Sequence, residues 1–347
     1  MEFESQSRTE LSALGEFGLI EYLKNEFKPL QSSTLKGIGD DAAVIETYGK
    51  PLVVSSDLLI EGVHFDLSYV PLKHLGYKAV VVNLSDACAM MAIPKKILVN
   101  LGISNRFSLE AVEELYSGIK AACRYYNIDL IGGDTSANPQ GLVLSITVLG
   151  ELTLEHAVYR STAREHDLIC VSGDLGSAYM GLQVLEREKT VFKANPKMQP
   201  ELEGFDYLIQ RQLKPEARVD VVNGLLERKI VPSSMMDVSD GLASELLHIS
   251  KESNVGLRLY EEKIPIDALT YQTALDFNLD PTLCALSGGE DYELLFTIPQ
   301  SQYEGISKWN DVSVIGHITA AGSGCQMIAK DGTQHEIKAQ GWKALDR

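Results

Sequence analysis

Cysteine is scarce and scattered in this sequence: Cys88, Cys123, Cys170, Cys284 and Cys325 are the five among 347 residues. Their number is odd and no Cys-x-x-Cys pair occurs, which argues against a disulfide framework or a thiolate zinc site and fits reduced thiols in the cytoplasm. The seven histidines form no His-x-x-x-His pair, so a metal here has oxygen ligands, which points to Mg²⁺ rather than zinc. No apolar run approaches the ~18 residues of a membrane span. Met1-Glu2-Phe3-Glu4 lacks the basic head and apolar stretch of a secretory signal. Basic residues are in deficit, 31 against 48 acidic ones, for a net charge of −17. Such a field repels nucleic-acid backbones and anionic membranes. An acidic protein binds anionic phosphates through divalent cations held between its carboxylates. The phosphate loop Gly-x-x-x-x-Gly-Lys-Ser/Thr is missing, as are the Gly-x-Gly-x-x-Gly fingerprint, the protein-kinase motifs and the Gly-x-Ser-x-Gly elbow.

What is present is an alternation of helical and extended patterns. Hydrophobic residues make up 45% of the chain, enough for a sizeable core, and the length suits two domains. Helical spacing predicts helices over 10–28, 73–91, 109–126, 176–188, 205–213, 216–228, 240–253 and 267–277. Strands are expected at 43–46, 52–56, 129–131, 142–149, 167–172, 256–259, 292–298, 312–318 and 325–329, with a turn at Tyr48–Pro51 and a glycine turn after Ile131. The class is α/β with mixed α+β character. Lys189–Gly204, with two prolines and mixed charge, reads as a mobile insertion.

The chain also echoes itself. Asn83-Leu84-Ser85-Asp86-Ala87-Cys88-Ala89 resembles Asp237-Val238-Ser239-Asp240-Gly241-Leu242-Ala243, and each is followed at similar distance by an acidic glycine turn, Gly132-Gly133-Asp134 or Gly288-Gly289-Glu290. Gly39-Asp40-Asp41 and Gly173-Asp174 precede them. The ordered set predicts a duplicated domain, with a division into residues 1–150 and 151–347 and a seam near Gly150–Ser161.

Chemistry concentrates at these acidic residues. Asp40, Asp41, Asp57, Asp134, Asp237, Asp240, Glu290 and Asp291 stand beside glycine or serine at the ends of short apolar runs, and Asp86 shares a helix face with Asn83. Any single one reads as a turn or helix cap. Together they suggest a ligand-gathering rim. Packed carboxylates repel by roughly 4 kcal/mol per contacting pair at an effective dielectric near 20, so such a cluster calls for protons or divalent cations. Magnesium held this way is a template for the phosphates of a nucleoside triphosphate. Taken singly, Arg160 reads equally as an anion clamp or a surface arginine, Tyr116 and His64 as packed residues, and Trp342 as a staple for the tail. Arg211, Lys214 and Arg218 read as a solvated helix face.

In order along the chain, Gly37-Ile38-Gly39-Asp40-Asp41-Ala42-Ala43, Ser55-Ser56-Asp57, Gly62-Val63-His64-Phe65, Lys78-Ala79, Asn83-Leu84-Ser85-Asp86, Gly132-Gly133-Asp134-Thr135, Tyr159-Arg160-Ser161, Asp237-Val238-Ser239-Asp240-Gly241 and Leu286-Ser287-Gly288-Gly289-Glu290-Asp291-Tyr292-Glu293-Leu294 resemble the thiamine-monophosphate kinase family over roughly residues 14–343. The wider superfamily includes aminoimidazole ribonucleotide synthetase and selenophosphate synthetase. The resemblance implies ATP-dependent phosphorylation of thiamine monophosphate to thiamine diphosphate, two domains of one superfamily type, and a homodimer paired through its N-terminal domains. It places the ATP site near the subunit junction. Position by position it assigns Asp41, Ser55, Ser56, Asp57, Asp86, Asp134, Asp237 and Asp240 to several Mg²⁺ ions. It assigns Tyr116, Gly133, Asp134, Arg160 and Ser239 to the nucleotide, and His64, Glu290 and Trp342 to the substrate. No general base is expected, because the accepting phosphate oxygen is already ionised. The alternatives are a ring-closing or selenophosphate-forming enzyme of the same superfamily, or a non-catalytic cation- or nucleotide-binding module. The selenophosphate reading is weakened by the lack of Cys or Lys before Leu19.

Overall fold

A computed structural model describes residues 32–339 except Tyr48 and Lys50, together with Gly18, Glu21, Lys24 and Asn25. Those four are helical, and the rest of the helix expected over 10–28 lies outside the described residues. Two sheets organise the remainder. The first has the order β1 (Thr34–Lys36), β2 (Ala43–Ile45), β3 (Leu52–Ile60), β6 (Leu142–Leu152), β4 (Ala92–Ile103) and β5 (Asp129–Ala137), antiparallel except for the β4–β5 pair. The second runs β13 (Gln334–Glu336), β12 (Cys325–Ile328), β9 (Gly256–Tyr260), β11 (Val312–Thr319), β7 (Leu168–Ser172), β10 (Leu294–Ile298) and β8 (Ser234–Asp237). The class is mixed α/β. No helix among the described residues is long and apolar enough to cross a membrane.

The helix Leu72–Ala89 joins the two halves. It packs on β3, β4 and β6 with one side and reaches β8 and β10 of the second sheet with the other. A helix covered on both sides has to be apolar nearly all round, and its buried residues include Leu75, Ala79, Val80, Val81, Leu84, Ala87 and Cys88. The helix Leu109–Tyr126 lies against it. They approach at Gly76 and Gly118, where a Cβ would run into the carbonyl oxygens of Leu115 and Lys73 respectively. Ser108 caps the start of this second helix and Asn127, in the left-handed conformation, ends it.

Several elements differ from expectation. β4 was not foreseen, because Pro94-Lys95-Lys96 interrupts its pattern. The register shift between Pro94 and Lys96 absorbs the missing N–H as a bulge. The glycine turn after Ile131 is instead the middle of β5. Gly133 (φ +150°) lies so close to β4 that a Cβ would strike the Val99 backbone, so this glycine serves close strand packing. Lys189–Gly204 begins as the last turns of the helix Ser177–Ala194. Lys189 pairs with Asp66 at 2.9 Å, and Glu188 accepts the Glu201 N–H at 2.8 Å; this is not a free insertion. The helix Pro281–Ser287 was also missed. The two echoing segments adopt different local structures: Asp86 lies within a helix, Asp240 in the turn before the helix Leu242–Ser253.

Candidate active site

Carboxylate oxygens of Asp41, Asp86 and Asp237 lie within 4.8 Å of one another. The fold brings them from the loop after β1, the junction helix and the end of β8. Ser55 Oγ donates to Asp86 Oδ2 at 2.5 Å, and Ser85 Oγ donates to Asp237 Oδ2 at 2.6 Å. The Asp57 backbone N–H donates to Asn83 Oδ1 at 2.9 Å, tying β3 to the junction helix.

Burial raises the pKa of each of these acids, and repulsion from neighbouring carboxylates adds to it at Asp41, Asp57 and Asp86. Asp57 is pushed up to about 6 by burial and then by Asp237. Asp41 is pushed up to about 8 by burial, with Arg160 opposing and Asp237 and Asp40 adding. Asp86 is held well above the carboxylate range by burial, then by Asp57, Asp237 and Asp41, against the Ser55 hydrogen bond. Asp237 is raised by burial while Ser85 and Arg160 oppose. At the cluster's separation two full charges repel by about 3.5 kcal/mol at an effective dielectric of 20. Arg160 is the cation facing this group: its Nη2 meets Asp41 Oδ1 at 2.5 Å and its Nε lies 3.4 Å from Asp40 Oδ1. Asp41 Oδ2 is buried without a hydrogen-bond partner. An orphaned carboxylate oxygen in an all-oxygen cluster fits a hard divalent cation.

The neighbouring turn is braced from inside. Glu245, 1% exposed, accepts the backbone N–H groups of Ser239 and Asp240 through Oε1 at 3.1 and 2.8 Å. The glycine turn is laced to the same loop: the Glu290 N–H donates to Ser239 O at 2.7 Å and the Tyr292 N–H to Val238 O at 2.9 Å. Glu290, at φ +60°, holds its side chain between Lys78 Nζ at 2.9 Å and Gln212 Nε2 at 2.8 Å. His64 lies close enough to Glu290 for its charge to be felt, although burial, the larger influence, lowers the imidazole pKa. His64 Nδ1 accepts the Ile60 N–H at 3.0 Å.

The other assigned residues do not converge here. Asp57, Ile146, Val99 and Gly133 form one row across the sheet, which sets Gly133 three strand spacings, about 14 Å, from Asp57. Ser56 and Asp134 belong to alternate rows, so their side chains project from the opposite face to Asp57. Ser56 Oγ meets Thr147 Oγ1 at 2.9 Å there. Tyr116 is half-buried against the core, and Trp342 lies outside the described residues.

Residues 39–152 match the family described as AIR synthase related protein, N-terminal domain. The thiamine-monophosphate kinase of Aquifex aeolicus (strain VF5) is 37% identical over 337 residues, 96% of this chain and 99% of that protein. The chain belongs to the thiamine-monophosphate kinase family. The Bacillus subtilis (strain 168) thiamine-monophosphate kinase is 35% identical, over 79% of this chain and 80% of that protein. The solved structure of AaThiL complexed with AMPPCP and TMP superposes with a TM-score of 0.81 at 35% identity, covering 97% of this chain and 99% of that one.

In this member of the thiamine-monophosphate kinase family the basic group Arg211, Lys214 and Arg218 is not a solvated face. Arg211 Nη1 meets Glu293 Oε1 at 2.9 Å, Arg218 Nη1 holds the other oxygen, and Glu293 is 2% exposed. Lys214 lies over the Tyr77 ring at 5.2 Å. Glu293 sits just before β10, and the two arginines turn inward to meet it. Sequence reasoning also gave no role to Lys78, Gln212 or Glu245. For Lys78 a signal existed, a lysine inside an otherwise apolar helix, since such a charge is buried only when paired.

Proposed function

We propose that this chain transfers the γ-phosphoryl group of ATP to the phosphate of thiamine monophosphate, giving thiamine diphosphate and ADP, the last step in making thiamine diphosphate. The observation that carries this reading is the placement of two kinds of chemistry on one helix. Asp86 belongs to the acidic oxygen cluster, and Lys78, eight residues or about 12 Å along the helix axis, belongs to the Glu290–His64 group. A phosphate-bearing end and an organic end thus adjoin.

Asp41, Asp57, Asp86 and Asp237, with Ser55 and Asp240, would hold Mg²⁺ ions, which supply charge neutralisation on the transferred phosphate. Arg160 adds fixed positive charge beside Asp41. Glu245 keeps the Ser239–Asp240 turn in place. Glu290 and His64 would face the organic part of thiamine monophosphate, and Trp342 is proposed for the same contact. The accepting phosphate oxygen is ionised near neutral pH, so no side chain has to take a proton, and transfer is direct and in line. As the P–O bond to the β,γ-bridging oxygen breaks, the bond to the acceptor forms and ADP leaves.

The enzyme works as a cytoplasmic homodimer, with domains at 1–150 and 151–347 and no nucleic-acid or membrane partner. Support for the dimer comes from β5, an edge strand with Leu130 and Ile131 at 41% and 52% exposure, and from Leu58 on the uncovered sheet face at 50%. Tyr116, Gly133 and Asp134 belong to a nucleotide site reaching that junction, which accounts for their distance from the acidic cluster, and Ser56 and Asp134, on the face opposite Asp57, would hold Mg²⁺ on that side. Incubation with ATP, Mg²⁺ and thiamine monophosphate, with hydroxymethylpyrimidine phosphate and free thiamine as controls, tests the reading. Thiamine diphosphate from thiamine monophosphate alone is expected; no turnover, or phosphorylation of a control instead, would refute it.

A further inference from the structure

Lys78 is the charged residue buried deepest in the junction helix, at 6% exposure, and the phosphate chemistry above does not use it. Its Nζ is 2.9 Å from Glu290 Oε1 and donates to the Gln212 carbonyl oxygen at 2.9 Å. The Gln212 side chain closes the same ring, its Nε2 donating to Glu290 Oε2 at 2.8 Å. Each Glu290 oxygen is therefore held from inside, one by each half of the molecule's junction. Glu290 needs such holding. Its backbone sits in the left-handed region, uncommon for a residue with a side chain, and its carboxylate is 31% exposed on the open side. A carboxylate oxygen has two acceptor directions, so the inner partners leave acceptor capacity on the open side for a ligand that brings N–H donors or positive charge.

We infer that Lys78 and Gln212 are positioning residues that clamp Glu290 in the orientation in which it receives the cationic, N–H-bearing organic part of the phosphate acceptor. Lys78 thereby makes acceptor recognition depend on correct docking of the junction helix against the glycine turn. This rests on the reading of Glu290 as a substrate contact, and the test separates the two.

Steady-state kinetics on the full chain, varying thiamine monophosphate and ATP separately, should be measured for Lys78→Met, Lys78→Arg, Glu290→Gln and the double variant Lys78→Met/Glu290→Gln. Lys78→Met should raise KM for thiamine monophosphate at least tenfold while KM for ATP and kcat at saturation stay within about twofold, ~0.4 kcal/mol. Lys78→Arg should recover part of the loss. In the Glu290→Gln background Lys78→Met should add nothing, because the lysine acts through that carboxylate. Equal losses for both ligands, or full additivity in the double variant, would overturn the inference. Should Lys78→Met fail to fold, Gln212→Met carries the same test with an expected threefold rise in KM, absent in the Glu290→Gln background. If Glu290→Gln weakens thiamine monophosphate while the clamp variants do not, the inference alone fails. If Glu290→Gln leaves that KM unchanged, the substrate-contact reading fails and takes the inference with it.

Discussion

Replacing Asp57 by Asn should make the metal-free protein more stable while removing most of its activity. The Asp57 pKa rises from 3.8 to about 6 in the fold, so the folded state binds the proton more tightly than the unfolded chain. The resulting loss of stability begins as pH climbs past the unfolded value and is complete once pH exceeds the folded one. At pH 8 the difference of about two units corresponds to about 3 kcal/mol, and at pH 5 to about half that. Asn is nearly isosteric and carries no charge. The Asp57 backbone N–H keeps its bond to Asn83, so the substitution removes the cost of burying the charge and, second to it, the repulsion with Asp237. A chain of this size gains about 2 °C in Tm per kcal/mol. In excess chelator the variant should therefore melt about 6 °C above the parent at pH 8 and about 3 °C above it at pH 5. Adding Mg²⁺ should close the gap, because the parent gains more from binding the cation. Calorimetric melting at the two pH values, with chelator and with Mg²⁺, checks this alongside turnover. A variant that melts below the parent at pH 8 in chelator, or whose advantage is the same at pH 5, would refute the electrostatic account. Full activity in Asp57→Asn or in chelator would refute the metal assignment.

Four further outcomes are expected. Glu293→Gln removes the anion that Arg211 and Arg218 share, leaving them Asp291 and Asp220 respectively, and should cost about 1–3 kcal/mol, read as a fall in the urea midpoint; no measurable change would mean that those two acids alone satisfy the arginines. Glu245→Leu removes the acceptor for Ser239 and Asp240 N–H and should raise the Mg²⁺ concentration needed for half-maximal rate, whereas Glu245→Gln, which keeps an acceptor oxygen, should restore most of it. Sedimentation should give a mass near twice 38.1 kDa. Gly133→Ala, by forcing a Cβ into the Val99 backbone, should disturb β5 and weaken that association; a fully active monomer would exclude the proposed junction.

Local chemistry explains which elements were legible in the sequence. The helix 109–126 was readable to its ends because its apolar spacing, its Ser108 cap and its Asn127 stop agree. β4 was hidden by Pro94, which only a bulge in a paired strand accommodates. The helix after Asp280 had a readable signal, Asp at the cap and Pro at the first helical position, within a segment too short for periodicity to register. The buried network of Arg211, Arg218 and Glu293 was not readable, since two arginines on helical segments look solvated until an acid 75 positions or more away meets them.

The amino-acid sequence by itself determined the mixed α/β class and the acidic residues gathered at strand ends and turns. These follow from residue type and short-range spacing, which act before the chain closes on itself. Tertiary structure alone decided which acids meet. It brought Asp41, Asp86 and Asp237 together from three elements, turned Asp57 and Ser56 to opposite faces of one strand, and left Gly133 and Asp134 at a distant edge. It also set Lys78 against Glu290 across the junction. Distances between residues far apart in the chain depend on sheet order, register and helix docking, and burial of charge depends on those distances; neither is contained in any local run of residues.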